Sequence, residues 1–233
     1  MIGIICALDI EAKQLIENLE GPVSEKIGRL SFTRGVLKGK DVVIGMAGVG
    51  KVNAAMCAQT IILKYAPALI VNSGVAGSLS KRLDIGDIAV GTGVVEHDFD
   101  TTAVGDPPAF FNELKGLDSF PCDEAAATAI LKAAGEEGVH AVKAKIASGD
   151  QFISDAGTKA RLVQMFGAEA CEMEAGAIAH VCFNNGVKCA VIRAISDSTD
   201  GEHQVEFYKF LPVAADNSAR VLMRYLENKE SHT

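Results

Sequence analysis

Apolar residues along this chain fall into two alternating patterns. Ile2–Ala7 is an uninterrupted apolar run. Similar runs return at "ALIVNSGVAGSL", "GDIAVGTGVVEHD", "VKAKIASGD" and "KCAVIRAISDSTD". Continuous runs bounded by glycine and polar residues predict strands buried on both faces. Between them lie helical spacings. Ile10, Leu15, Ile16 and Leu19 predict a helix whose first turn holds Asp9 and Glu11. Val52–Tyr65 is alanine-rich, and "DEAAATAILKAAGEEG" has an acidic start and a glycine stop. "AGTKARLVQMF" and "EMEAGAIAHVCFNNG" are further helices, and a last long one lies within Val205–Glu230, with Pro212 marking its start or a kink. "LSFTRGVLKGKDVVIGM" reads as a hairpin about Lys38-Gly39-Lys40. The expected fold is therefore α/β, a sheet covered by helices on both faces. Thr101–Asp123, with Pro107, Pro108 and Pro121, reads as one long loop.

At 233 residues, without a linker or repeat, the chain is expected to form one domain over 1–233. Its net charge of -8 and the lack of a basic cluster argue against a nucleic-acid partner. No run approaches the ~20 apolar residues of a membrane span. The N-terminus lacks the basic start and cleavage site of a signal peptide, so a cytoplasmic location is expected. The six cysteines contain no C-x-x-C pair and sit mostly in apolar runs, as buried reduced thiols do.

Chemistry should collect where strands end and loops begin. "VVIGMAGVGKVNAAM" is the first such place. Gly45, Gly50 and Lys51 fit a phosphate-binding loop, but Val52 stands where that loop needs a magnesium-binding hydroxyl. A close-approach turn for another ligand fits better. His97-Asp98-Phe99-Asp100 has no firm geometry for a metal. Three carboxylate positions follow or flank apolar runs: Glu11, Glu172 with Glu174, and Asp197. One such carboxylate is readily a cap or an ion pair; three together point to a site.

In order along the chain, "GIICALDIEA", "AGVGKVNAA", "VNSGVAGSL", "SGDQFI", "CEMEAGAIAHVC" and "VIRAISD" resemble the 5'-methylthioadenosine/S-adenosylhomocysteine nucleosidases. These belong to the nucleoside phosphorylase/hydrolase superfamily. The most specific match is E-M-E-A followed by R-A-I-S-D. The resemblance implies a three-layer α/β/α sandwich with a central mixed sheet, usually a homodimer. It implies hydrolysis of the N-glycosidic bond of an adenine nucleoside, with no cofactor and no metal. By resemblance, Asp197 is the general acid at adenine N7 and Glu11 activates the attacking water. Glu174 grips the ribose hydroxyls beside Glu172 and Met173, and Arg193 lies near water and ribose. Phe152 stacks on adenine, the Ile153 backbone reads its Watson–Crick edge, and Phe207 closes over the sugar. Val49, in the glycine turn, lies near the ribose and its 5'-substituent.

Two departures bear on these expectations. Val75 stands where the family usually has serine. With Asn72, it leaves a turn unsuited to gripping phosphate, which argues for water over phosphate as nucleophile. After "EHDFDTTA" the chain reads Val104-Gly105-Asp106-Pro107-Pro108 instead of the family's aromatic-glycine-aromatic run. That loop shapes the 5'-pocket across the family dimer, so a related purine nucleosidase acting on aminodeoxyfutalosine or 5'-deoxyadenosine stays open. A phosphorylase of the superfamily and a non-catalytic binding protein are the other readings.

Overall fold

A computed structural model describes residues 1–199 and 203–228. In chain order the elements are β1 (Ile2–Cys6), α1 (Asp9–Glu17), β2 (Glu20–Ile27), β3 (Leu30–Leu37), β4 (Lys40–Met46), α2 (Lys51–Tyr65), β5 (Leu69–Ser78) and β6 (Ile88–Glu96). Then come β7 (Phe120–Pro121), α3 (Glu124–Glu136), β8 (Ala141–Ser148), α4 (Ala156–Phe166), β9 (Ala170–Glu172), α5 (Ala175–Asn185), β10 (Lys188–Asp197) and α6 (His203–Asn228).

Each of these segments follows from its own residues. β1, β5 and β10 are the continuous apolar runs, and nearly every residue in them is buried. Asp123 and Asp155 cap α3 and α4 by accepting from the N–H groups of Ala126 and Thr158. Gly167 and Gly186 end α4 and α5 in the left-handed conformation.

The strands form one mixed sheet in the order β10-β6-β8-β9-β5-β1-β4-β3-β2, with β7 paired to β6. β10 also pairs with β5, so β5, β10, β6, β8 and β9 close into a ring at one end. The central pairs β4–β1, β1–β5 and β5–β10 are parallel. Side chains alternate across β1. Ile2, Ile4 and Cys6 join a core packed under α1, α3 and α6, whereas Ile5 joins a second core under α2 and α5. These two cores are the two interfaces of an α/β/α sandwich, as expected. α4 covers a smaller third cluster about Leu79, Ile153 and Leu162.

The sequence reading needs three adjustments. β2 pairs antiparallel with β3 as an exposed edge strand that no apolar pattern announced. Glu172 belongs to the three-residue strand β9, and the helix begins only at Ala175. Pro212 lies inside α6, which starts nine residues earlier, so it does not mark the start. The end expected at Glu230 lies outside the described residues. The 101–123 segment is indeed loop, interrupted by two single 3-10 turns and β7.

Candidate active site

β5 and β10 run side by side and present their C-terminal ends to one cavity of about 340 Å³. That volume suits a small molecule. All the residues singled out from the sequence line it: Glu11, Val49, Val75, Phe152, Ile153, Glu172, Met173, Glu174, Arg193, Asp197 and Phe207. They arrive from β5, β9, β10, the first turn of α1, the turn before α2, the loop before α4 and the start of α6.

Glu11 is 3% exposed. Its Oε2 accepts from the N–H groups of Ala7 at 2.9 Å and Leu8 at 3.0 Å, and its Oε1 accepts from Val75 N–H at 3.0 Å. Both oxygens are thus aimed by backbone. Burial raises its pKa above the ordinary 4.5, against the opposing pull of Arg193 and these three donors. Arg193 is 1% exposed in β10. Its Nη1 donates to the Val75 carbonyl at 3.1 Å, and its Nη2 contacts Asn72 Oδ1 and Glu172 Oε2 and lies 3.3 Å from Glu174 Oε2.

Glu172 has a structural task beyond its ion pair. Its Oε2 accepts from the N–H groups of Glu174 at 2.9 Å and Ala175 at 2.8 Å, satisfying the free end of α5. Glu174 is fixed from the other side by Gly50 N–H, which donates to Oε1 at 3.0 Å. Glu174 is pushed up to about 7, first by burial and then by Glu172 and Glu11, with Arg193 and Gly50 opposing. Glu11 and Glu174, both raised by burial, thus lie within the pull of one guanidinium.

Asp197 ends β10 and is 2% exposed. Ser196 Oγ–H donates to its Oδ1 at 3.0 Å, and Lys159 Nζ lies 3.5 Å from its Oδ2. Strand β5 approaches both carboxylate groups closely. A Cβ on Gly74 would lie 2.6 Å from Glu11 Oε1, and one on Gly77 would lie 2.8 Å from Asp197 Oδ2. A side chain at either place would push the neighbouring carboxylate aside. The two glycines are three residues apart, on the order of 10 Å along a strand.

The mouth of the cavity is aromatic. Phe152, about half exposed, meets Phe207 edge to face at 5.5 Å, and Phe207 meets the exposed Tyr208 at 5.4 Å. Ile153 and Val75 are buried, Met173 is half-buried, and Val49 is 46% exposed. The lysine of the glycine turn points elsewhere: Lys51 Nζ donates to Glu96 at 3.0 Å and Asp98 at 2.7 Å. Among the described residues no group of three or more His, Cys, Asp or Glu is placed to hold a metal ion. All six cysteines are free, and only Cys122 is not fully buried.

Sequence reasoning missed several lining residues: Leu8, Gln151, Cys171, Ser196, Tyr208 and Leu211. It also missed Lys159 behind Asp197, although that one left a signal. Lys159, Leu162 and Phe166 lie at the i, i+3, i+7 spacing of the inward face of α4, where a lysine is out of place.

A sheet of this topology with polar groups gathered at the ends of its central strands is the architecture of the phosphorylase superfamily, whose family model matches residues 1–227. A curated 5'-methylthioadenosine/S-adenosylhomocysteine nucleosidase of Shewanella halifaxensis is 38% identical, over 97% of this chain and 98% of its own. The nucleosidase of the same name from Neisseria meningitidis, crystallised with methylthio-immucillin-A, superposes with a TM-score of 0.92 at 35% identity, covering 98% of this chain and 99% of that one. The futalosine hydrolase of Helicobacter pylori superposes with a TM-score of 0.91 at 32% identity, covering 98% and 97%. The chain belongs to the 5'-methylthioadenosine/S-adenosylhomocysteine nucleosidase family within that superfamily, and it is an N-glycosyl hydrolase.

Proposed function

We propose that this chain, as one nucleosidase domain, cleaves 5'-methylthioadenosine and/or S-adenosylhomocysteine to adenine and the 5-thio-substituted ribose. Asp197 is the acid and Glu11 activates the water. The observation that supports the reading is that two buried carboxylates, Glu11 and Asp197, line one small-molecule-sized cavity together with Arg193 and Glu174. Adenine leaves poorly as an anion, and a proton on N7 makes it a neutral leaving group. Positioned acid catalysis contributes roughly 100- to 10,000-fold. Glu11 accepts from three N–H groups, which leaves its carboxylate aimed but not free to rotate. Glu174 has the strongly perturbed carboxyl and is the group for the ribose hydroxyls.

Phe152 stacks on the adenine, with the Ile153 backbone at its edge and Phe207 over the sugar. Met173, Val49 and Val75 complete an apolar wall around the ribose and its substituent. Asn72 is engaged with the Ile5 carbonyl and Arg193. Together with Val75 it offers no cationic grip for phosphate, which supports hydrolysis over phosphorolysis. The working unit is a homodimer whose 101–121 loop completes the 5'-pocket of the neighbouring copy, in the cytoplasm. A second reading, a related nucleosidase for aminodeoxyfutalosine or 5'-deoxyadenosine, is supported by the likeness to the futalosine hydrolase and by the exposure of Val49 and Tyr208 at the mouth.

The test is incubation with methylthioadenosine, adenosylhomocysteine, 5'-deoxyadenosine, aminodeoxyfutalosine, inosine and AMP, with and without phosphate, and identification of the products. Adenine and free 5-methylthioribose should form in phosphate-free buffer. A strict phosphate requirement with a ribose 1-phosphate product would overturn hydrolysis. Turnover of aminodeoxyfutalosine alone would select the second reading.

A further inference from the structure

Lys159 is a cation where the pattern of α4 calls for an apolar side chain, and it is only 4% exposed. Removing an ammonium from water is costly unless it is paired. Its Nζ donates to the Ser198 carbonyl at 2.7 Å and lies 3.5 Å from Asp197 Oδ2. One ammonium thus holds both the carboxyl and the backbone one residue beyond it. We infer that Lys159 is a positioning residue for the acid: it fixes the end of β10 and supplies the counter-charge that makes Asp197 release its proton more readily. This rests on the assignment of Asp197 to the leaving base.

The chemistry follows from charge. When the Asp197 carboxyl gives its proton to the base nitrogen, the glycosidic electron pair leaves with the base and the carboxyl becomes a carboxylate. An ammonium beside the carboxylate stabilises the state after transfer more than the state before it. The same field favours the ionised form of the resting acid. Lys159 therefore strengthens the acid while lowering the pH at which its proton is lost. An opposite charge within ~4–6 Å lowers a carboxyl pKa by about 1–3 units.

Among the described residues around Asp197, Ser196 on its own strand donates a neutral hydrogen bond. Cys171, from β9, is a thiol pushed up to about 12 by burial and carries no charge at working pH. β5 presents only Gly77, pressed against the carboxyl. Tyr208 of α6 lines the same cavity. Glu172, Glu174 and Arg193 also line it, but Arg193 is committed to those two glutamates. Lys159 is the cation in ion-pair contact with the acid among these residues.

The experiment compares wild type, Lys159→Met and Lys159→Arg. Met keeps the length and apolar stem of lysine without its charge; Arg keeps the charge. Two readouts are taken. The first is the pH profile of kcat for methylthioadenosine. The second is the 13C NMR titration of the Asp197 carboxyl in the unliganded protein, assigned with Asp197→Asn. In Lys159→Met the carboxyl should titrate about 1–3 pH units higher and the alkaline limb of kcat should move up with it. The plateau below that limb should fall by up to about tenfold for each unit of that shift. Lys159→Arg should restore the limb. A lower plateau with an unmoved limb and an unmoved carboxyl titration would reduce Lys159 to a structural role and overturn the inference. The NMR titration does not need turnover, so an inactive wild type would sink the functional reading while leaving the Lys159–Asp197 coupling measurable. Should Lys159→Met fail to fold, Lys159→Gln takes its place under the same two readouts, and an unmoved carboxyl titration with an unmoved limb there overturns the inference.

Discussion

Replacing Glu174 by glutamine should make the protein more stable at slightly alkaline pH and a worse enzyme. Glu174 is 4% exposed and its carboxyl is raised from 4.5 to about 7. A carboxyl that is harder to ionise in the folded state than in the unfolded one supports folding fully below the unfolded value. That support is lost as pH rises through the folded value, here between 4.5 and about 7. At 1.36 kcal/mol per pKa unit the loss is about 3 kcal/mol. Glutamine cannot ionise, so it escapes the loss. It keeps a carbonyl for the Gly50 N–H and turns an amide toward Arg193, which still holds Asn72 and Glu172. The misplaced amide costs about 1 kcal/mol at every pH. The stability difference, Glu174→Gln minus wild type, should therefore climb by about 2–3 kcal/mol from about pH 5 to about pH 8, and turn positive on the way. The assay is urea unfolding followed by far-ultraviolet circular dichroism, at one fixed protein concentration because an oligomer's stability depends on it. Adenine release by the same variant should fall, because two ribose hydroxyls lose a charged acceptor. A stability difference that stays flat across the range would refute the reasoning.

Asp197→Asn keeps shape and loses the transferable proton, so single-turnover adenine release should drop by roughly 100- to 10,000-fold while calorimetric binding of the nucleoside persists. Gly77→Ala places a methyl 2.8 Å from Asp197 Oδ2; kcat should fall well before the melting temperature does, and unchanged turnover would show the carboxyl free to move. Sedimentation at micromolar concentration should give a dimer; a fully active monomer would rule out a pocket shared through the 101–121 loop.

The helix and strand order was legible because most elements of this sheet are buried on both faces and write themselves as continuous apolar runs. β2 was not legible: Glu20–Ile27 is held by antiparallel pairing to β3 while its side chains stay largely exposed. β9 was hidden because three residues cannot show a period, and its partners come from β5 and β8, remote in sequence. The carboxylates could be named because charged groups at the ends of apolar runs are conspicuous, whereas Phe152, Ile153, Arg193 and Phe207 were legible only through the family resemblance. Their interplay was legible in neither way. Arg193 reads as one charge in an apolar strand, and only the fold brings Asn72, Glu172 and Glu174 around it. The odd lysine of α4 was visible as a break in pattern, but its meaning depended on where β10 ends.

The turn before α2 carries one more consequence. Gly48 and Gly50 take positive φ, 86° and 96°, in the turn that leads into the helix. Gly50 N–H is taken by Glu174, and Lys51 N–H by Asp150 Oδ1 at 2.7 Å. A helix start of this kind attracts anions. Here the anions are supplied by the chain itself, tethered and always at hand, at an effective concentration of the millimolar order or above. A free phosphate would have to compete with its own protein for the place. Restoring a hydroxyl at Val52 would therefore not turn this loop into a nucleotide-triphosphate cradle. The near-match in sequence is an anion hole already filled from within.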